Sequence, residues 1–429
     1  MTIFFMLLAL LALLFTGIPI FAGLTLFGSG MLLAVQGNLG SLASIIFTEL
    51  NQYLLVAIPL FAFMAHVMIR GKIVDDLYDA AYTFTRHLPG GLAVATIMAC
   101  TVFAAISGSS VATALTIGAV AIPQMLRYGY SPKIAYGVVA AGGTLGILIP
   151  PSAPMILYGI TTDSSIGSLF IAGIVPGLIM ALVFMAWVMF QCASAGNAVQ
   201  RDTRASWAEM RQALRKSVWS IALPVFVLGG MYMGVFTATE AAAAGVWLAL
   251  LVTVFIYRTV GWRDIWASAQ EACRLSALLF MILAGAAVFS HVMTKMRIPQ
   301  EIVESLTAMN MGAISFIIAL MLLIVVLGMF LESISIILVT TPVILPAMHQ
   351  LGIDPIWYGV LLVINLEIAL ITPPVGMNLF TIKAITGSTL APIIRGSLPY
   401  IGLMVAVLIL VLLVPELATW LPRTMMGNK

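Results

Sequence analysis

Apolar residues fall in ten long runs: about 2–35, 44–69, 91–126, 133–160 and 166–191, then 217–257, 275–294, 311–348, 356–382 and 395–421. Each approaches or exceeds the roughly 20 residues that a helix needs to cross a bilayer. The runs are continuous rather than alternating in pieces of about 10 residues, which excludes an outer-membrane barrel. The first run of each half, 34 and 41 residues, is too long for one crossing at about 1.5 Å per residue. The spacing predicts two short spans in each, joined at 17–19 and at 234–240. The third run of each half carries polar residues at its centre, SGSS at 107–110 and LESIS at 331–335. That pattern predicts re-entrant helical hairpins over 91–128 and 311–349, each with a polar tip at membrane depth. Irregular backbone is tolerated there only against protein or a water-filled cavity.

The fourth runs, 133–160 and 356–382, carry one motif written twice, about 223 residues apart. Gly129 and Pro132 match Gly352 and Pro355. After a one-residue gap, Tyr136, Gly137, Pro151 and Met155 match Tyr358, Gly359, Pro373 and Met377. In both copies a double proline interrupts an apolar segment. Proline has no N–H and frees the carbonyl one turn back, so GILIPPSAP (146–154) and ALITPPVG (369–376) predict discontinuous helices with unpaired carbonyls at midplane. Paired, interrupted segments in two related halves point to a transporter's central site.

Composition agrees with a membrane chain. Of the residues 62% are hydrophobic and 8% charged, against roughly 45–50% and about 25% in an ordinary soluble domain. The N-terminus lacks a basic region and a small-residue cleavage site, and reads as a retained first span. Basic residues set the orientation. With 201–216 in the cytoplasm, fifteen of the nineteen Lys and Arg fall inside, at 70–86, 127–133, 201–216, 258–274 and 383–395. Only Lys295, Arg297, Arg423 and Lys429 fall outside, as the positive-inside rule requires. The same threading puts the first hairpin on the cytoplasmic side and the second on the periplasmic side, an inverted repeat. The stretches 201–216 and 258–274, with Trp207, Trp262 and Trp266, read as interfacial surface helices.

The chemistry expected at the breaks is that of a hard cation and an anion. Unpaired carbonyls suit a cation with oxygen ligands, sodium first, while the restarting half-helices aim amides and partial positive charge at a carboxylate. Ser107, Gly108, Ser109 and Ser110 are expected to face the first break; Glu332, Ser333 and Ser335 face the second. Three roles are open to Glu332: a sodium ligand, a cap on the tip helix, or the partner of a base. Glu367, inside a span, is either a coupling-ion residue or an inter-helix hydrogen-bond partner, since intramembrane carboxylates are costly. Glu240 and Asp163 sit at span ends and read as helix caps or interface residues. The cysteines (Cys100, Cys192, Cys273), the four histidines and the many methionines read as packing or interfacial residues, with no metal spacing among them. No phosphate loop, nucleophile elbow, zinc-protease motif, voltage-sensing helix or potassium filter occurs, and no basic patch points to nucleic acid. An intramembrane enzyme would need a base beside Ser109, and no histidine is placed to serve it.

The ISGSSVATA tip, the IPPS break, the GMFLES tip and NLEIALITPPVGMNLF resemble the large membrane subunit of tripartite ATP-independent periplasmic (TRAP) transporters, over essentially the whole chain. The resemblance implies an elevator-type secondary transporter driven by sodium, without cofactor. It implies a soluble periplasmic binding protein that delivers a carboxylate, and a small four-helix membrane subunit supplied by a separate chain. It implies one sodium site at Ser107, Gly108, Ser109 and Pro150. A second lies at Gly328, Glu332, Ser333, Thr372, Pro373, Gly376 and Met377, with substrate at Ser110, Ser152 and Asn378. Some relatives differ at the position of Glu332.

The expected protein is therefore an all-α polytopic membrane protein of the bacterial inner membrane, in three regions. Residues 1–195 form the first repeat, with broken helix 133–160. Residues 196–274 hold the basic surface helices and scaffold spans, and 275–429 complete the second repeat, with broken helix 356–382 and last span 395–421. The rival reading is a standalone sodium–carboxylate symporter that needs no binding protein.

Overall fold

A computed structural model describes residues 9–10, 12–13, 16–194 and 202–426. The expected short span 2–16 lies mostly outside these residues, as do Arg201 and Lys429. The described secondary structure is entirely helical, and among the described residues nine helical spans are long and apolar enough to cross a membrane, Pro132–Thr162 counted as one.

In the first half, α1 (Ile20–Gln36) leads through the short α2 (Leu42–Leu50) into α3 (Ala57–Arg70) and α4 (Ile73–Thr85). The first hairpin is α5 (Gly91–Ser107) and α6 (Ser110–Arg127). The first broken helix is α7 (Pro132–Leu148) and α8 (Ala153–Thr162), followed by α9 (Ile166–Ser194). In the second half, α10 (Trp207–Tyr232), α11 (Ala238–Leu250) and α12 (Trp262–Lys295) precede the short α13 (Ile298–Ala308). The second hairpin is α14 (Ala313–Gly328) and α15 (Ser333–Gln350). The second broken helix is α16 (Pro355–Leu370) and α17 (Met377–Thr386), then α18 (Leu390–Leu413) and α19 (Glu416–Met426).

Several boundaries differ from the sequence expectation. Residues 207–216 and 262–274 are not separate surface helices; they are the first turns of α10 and α12. Capping explains both starts, since Ser206 with Glu209, and Gly261 with Asp264, satisfy the first free amides. The boundary expected at 274 therefore falls inside α12. The last span ends at Leu413, before Pro415, and α19 is a helix of its own. The amphipathic helices α4 and α13, each leading into a hairpin, lie outside the ten apolar runs. Both double prolines lie in the breaks, Pro150–Pro151 between α7 and α8 and Pro373–Pro374 between α16 and α17.

The first arms of the broken helices form the centre of the molecule. Every residue from Ile134 to Leu148 and from Tyr358 to Leu370 is buried. Around them pack the hairpins, α9 and α18, while α1, α3 and α10–α12 form a second group beside them. Contacts also separate the two ends of the molecule. At one end Arg86 bonds Glu209 at 2.9 Å and the Thr203 carbonyl at 2.8 Å, Arg70 bonds Glu271 at 2.8 Å, and Tyr130 bonds the Leu92 amide at 3.3 Å. The basic segments 70–86, 202–216 and 258–274 thus meet there. At the other end Arg423 faces Asp354 at 3.7 Å and Tyr158 bonds the Pro355 carbonyl at 2.7 Å. The first hairpin opens at the basic end and the second at the opposite end, so the two halves are inverted copies.

Candidate functional site

The first tip is built by two caps. Gly108 ends α5 in the left-handed region, φ 59°, a conformation glycine adopts without steric cost. Ser109 is the N-cap of α6, its Oγ accepting the Ala112 amide at 3.4 Å. Thr113 closes the turn. Its Oγ1 shares a hydrogen bond with Ser107 Oγ at 2.8 Å and donates to the Ser109 carbonyl at 2.8 Å. Thr113 was not among the expected site residues; its place one helical turn after Ser109 is the signal that would have found it.

The tip interlocks with the first break. A Cβ at Gly108 would lie 2.5 Å from the Pro151 carbonyl oxygen, and one at Gly146 would lie 2.5 Å from the Ser109 carbonyl and 2.7 Å from Thr113 Oγ1. Only glycine allows backbone to approach backbone this closely. Ser152 then restarts the helix, donating to the Ile147 carbonyl at 2.6 Å and accepting the Met155 amide at 3.5 Å. Hydroxyl and carbonyl oxygens of Ser107, Ser109, Thr113 and Pro151 therefore gather in one place. Oxygen-only sets suit hard cations.

The second tip has the same plan with different chemistry. Glu332 occupies the N-cap that Ser109 occupies in the first copy, its Oε2 accepting the Ile334 amide at 3.1 Å. Of the three roles open to it, capping is the one seen. Gly328 at the end of α14 lies against Ala369, one turn before the second break. Thr372 donates to the Ile368 carbonyl at 2.6 Å, and Gly376, φ 55°, starts α17. The two breaks differ in exposure: Ile149 to Ser152 are buried, whereas Pro374, Val375 and Met377 are exposed.

The expected partnership of each tip with its own break is only half of the arrangement. The outgoing helix of each hairpin packs on the restarting half-helix of the other copy, α6 on α17 and α15 on α8. Asn378 makes this crossing explicit, its Nδ2 donating to Ser110 Oγ at 2.8 Å and to the Ala140 carbonyl at 3.3 Å. Ser110 and Asn378 are thus brought together, while Ser152 sits on the first break. Ser335 is buried on α15. Asn365 donates to the Met321 carbonyl at 2.8 Å, tying α16 to α14. Glu367 is fully buried and neither carboxyl oxygen has a hydrogen-bond partner among the described residues, so the inter-helix bond belongs to Asn365. Glu240 forms a capping box with Thr237, and Asp163 is the left-handed C-cap of α8. No cluster of three His, Cys, Asp or Glu side chains stands ready for a transition metal among the described residues.

Comparison with known proteins is consistent with this architecture. Residues 7–417 match the family model for the tripartite ATP-independent periplasmic transporter, DctM component. The chain is 40% identical over 393 residues to the C4-dicarboxylate TRAP transporter large permease protein DctM of Pseudomonas aeruginosa, covering 92% of each chain. It is 35% identical over 415 residues to the ectoine TRAP transporter large permease protein TeaC of Halomonas elongata, covering 96% of this chain and 97% of that one. Its fold is shared with the crystal structure of the Alcanivorax borkumensis YdaH transporter, at a TM-score of 0.64 and 13% identity over 91% of this chain and 89% of that one. The chain therefore belongs to the tripartite ATP-independent periplasmic transporter family, DctM component, as a multi-pass membrane permease and not an enzyme.

Proposed function

We propose that the chain is the large membrane subunit of a sodium-coupled importer for a small carboxylate, acting in the bacterial inner membrane. The observation that carries this reading is the oxygen cluster where the first tip meets the first break: Ser107, Ser109 and Thr113 against Pro151. A sodium ion is the cargo suited to that cluster, with Gly108 and Pro150 shaping its walls. Gly328, Glu332, Ser333, Thr372, Pro373, Gly376 and Met377 form the second ion site by the same plan. A substrate carboxylate would meet the half-helix amides of α8 and α17 between the tips, near Ser110, Ser152 and Asn378. Relatives named as C4-dicarboxylate and ectoine TRAP transporter permeases support a small carboxylate-bearing cargo.

In this reading the hairpins and broken helices move as one body past the scaffold of α1, α3 and α10–α12. A periplasmic binding protein loads the substrate and a separate small four-helix subunit completes the scaffold. Ion and substrate must favour the same state, because a ligand shifts an equilibrium only through differential affinity. Sodium ordering the tips supplies that difference.

The test is uptake into proteoliposomes holding this chain, the small subunit and the binding protein. Ser109→Ala and Thr372→Ala should each raise the sodium concentration for half-maximal uptake by about tenfold or more. Unchanged sodium dependence in both variants would sink the assignment. Uptake that persists when the binding protein is omitted would favour the standalone symporter.

A further inference from the structure

We propose that Asn378 is a positioning residue that couples the two ion sites, so that an ion at either break strengthens binding at the other. The inference rests on the sodium-coupled reading above and adds to it a single connecting side chain.

Asn378 is the second residue of α17, directly after the second break, and its side chain is fully buried. Its amide reaches two elements of the other copy. One bond, 2.8 Å, goes to Ser110 Oγ, the first residue of α6 and the neighbour of Ser109 in the first tip. The other, 3.3 Å, goes to the Ala140 carbonyl of α7, the helix that runs into the first break. One side chain therefore touches the start of the second half-helix, the first tip and the approach to the first break. Ser110 is itself buried, so solvent does not replace the bond when Asn378 moves. Displacing Asn378 takes from the buried Ser110 hydroxyl the donor it accepts from, away from water, which is costly in proportion to burial.

Among the described residues the side-chain tie at Asn378 has no counterpart at the matching position of α8. Counted from the helix start, the position of Asn378 in α8 is held by Pro154, which has no side-chain donor. The counterpart of Ser110 at the second tip is Ser333. The inverted repeat thus places matched elements together twice, through α6 on α17 and α15 on α8, and the α6–α17 contact carries the buried hydrogen bond of Asn378 to Ser110. An ion that orders residues 372–377 fixes the start of α17, holds Asn378, and so holds Ser110 and the first tip. The reverse follows by linkage, since coupling between two binding sites is reciprocal.

The experiment is a sodium titration of the purified full chain, with choline chloride keeping ionic strength constant and tryptophan emission or the thermal midpoint as the signal. The natural chain should titrate with a Hill coefficient well above one. Asn378→Leu keeps the volume and removes the amide; Ser110→Ala removes the acceptor. Each should bring the Hill coefficient to about one and weaken half-saturation on the order of fivefold, the low end of typical coupling. The double variant should be no worse than either single one, because both remove the same bond. Simple loss of packing would lower the midpoint at every sodium concentration without changing the steepness. If Asn378→Leu fails to fold, Ser110→Ala decides alone. A Hill coefficient unchanged from the natural chain, or additive effects of the two substitutions, overturns the proposal and leaves the sodium reading standing. A natural chain with no response to sodium overturns both.

Discussion

At the residue scale, function and cost separate most clearly at Glu367. A carboxyl group buried without a partner is unfavourable, because its lost hydration is not replaced. Replacing it with Leu, similar in size and apolar, is therefore expected to stabilise the chain by about 1–3 kcal/mol. Thermal unfolding of the purified Glu367→Leu protein checks this, and a lowered midpoint would mean that the carboxyl has a partner in the folded state. Residue-level legibility was uneven. The serines of the first tip, Glu332 and Asn378 stand out in the sequence because polar groups are conspicuous inside apolar runs. Which oxygen faces which depends on cap geometry: Glu332 turned to its own helix start, and Thr113, disguised as an ordinary helix residue, closed the first tip.

At the element scale, the breaks and hairpins were readable because each is marked by residues that cannot continue an apolar helix. Double prolines mark the breaks and serines or Glu332 mark the tips. The helices α4 and α13 were missed for the opposite reason, since amphipathic connectors of 13 and 11 residues leave no apolar run. The parts of the expected surface helices from Trp207 and from Trp262 onward merged into α10 and α12 because nothing between them and the apolar runs stops a helix. Element packing makes its own prediction at the crossing of α7 and α18. There Gly396 lies against the Lys133 carbonyl and Gly137 against the Gly396 carbonyl, the close approach that small residues permit between membrane helices. Gly396→Ala should cost about 1–3 kcal/mol, whereas Gly402→Ala on the same helix meets nothing within 4 Å and should stay within about 0.5 kcal/mol. Equal thermal midpoints for the two variants would show that the crossing tolerates separation.

At the scale of the whole molecule, the sequence repeat and the charge distribution were enough to read an inverted architecture, because both are written in linear order. The crossing of the halves was not legible. That the first tip is braced by the second broken helix depends on packing between residues more than 230 positions apart, and no local pattern encodes it. The result is one body in which two tip-and-break pairs share a core and differ in exposure, the first break sealed and the second open. The central claim is that these two pairs are the ion sites that drive transport. Equilibrium binding of radioactive sodium to the purified chain tests it most directly. Saturable binding of about two ions per chain is expected, reduced by one ion each in Ser109→Ala and Thr372→Ala. No saturable binding to the natural chain, or full binding in both variants, would contradict it.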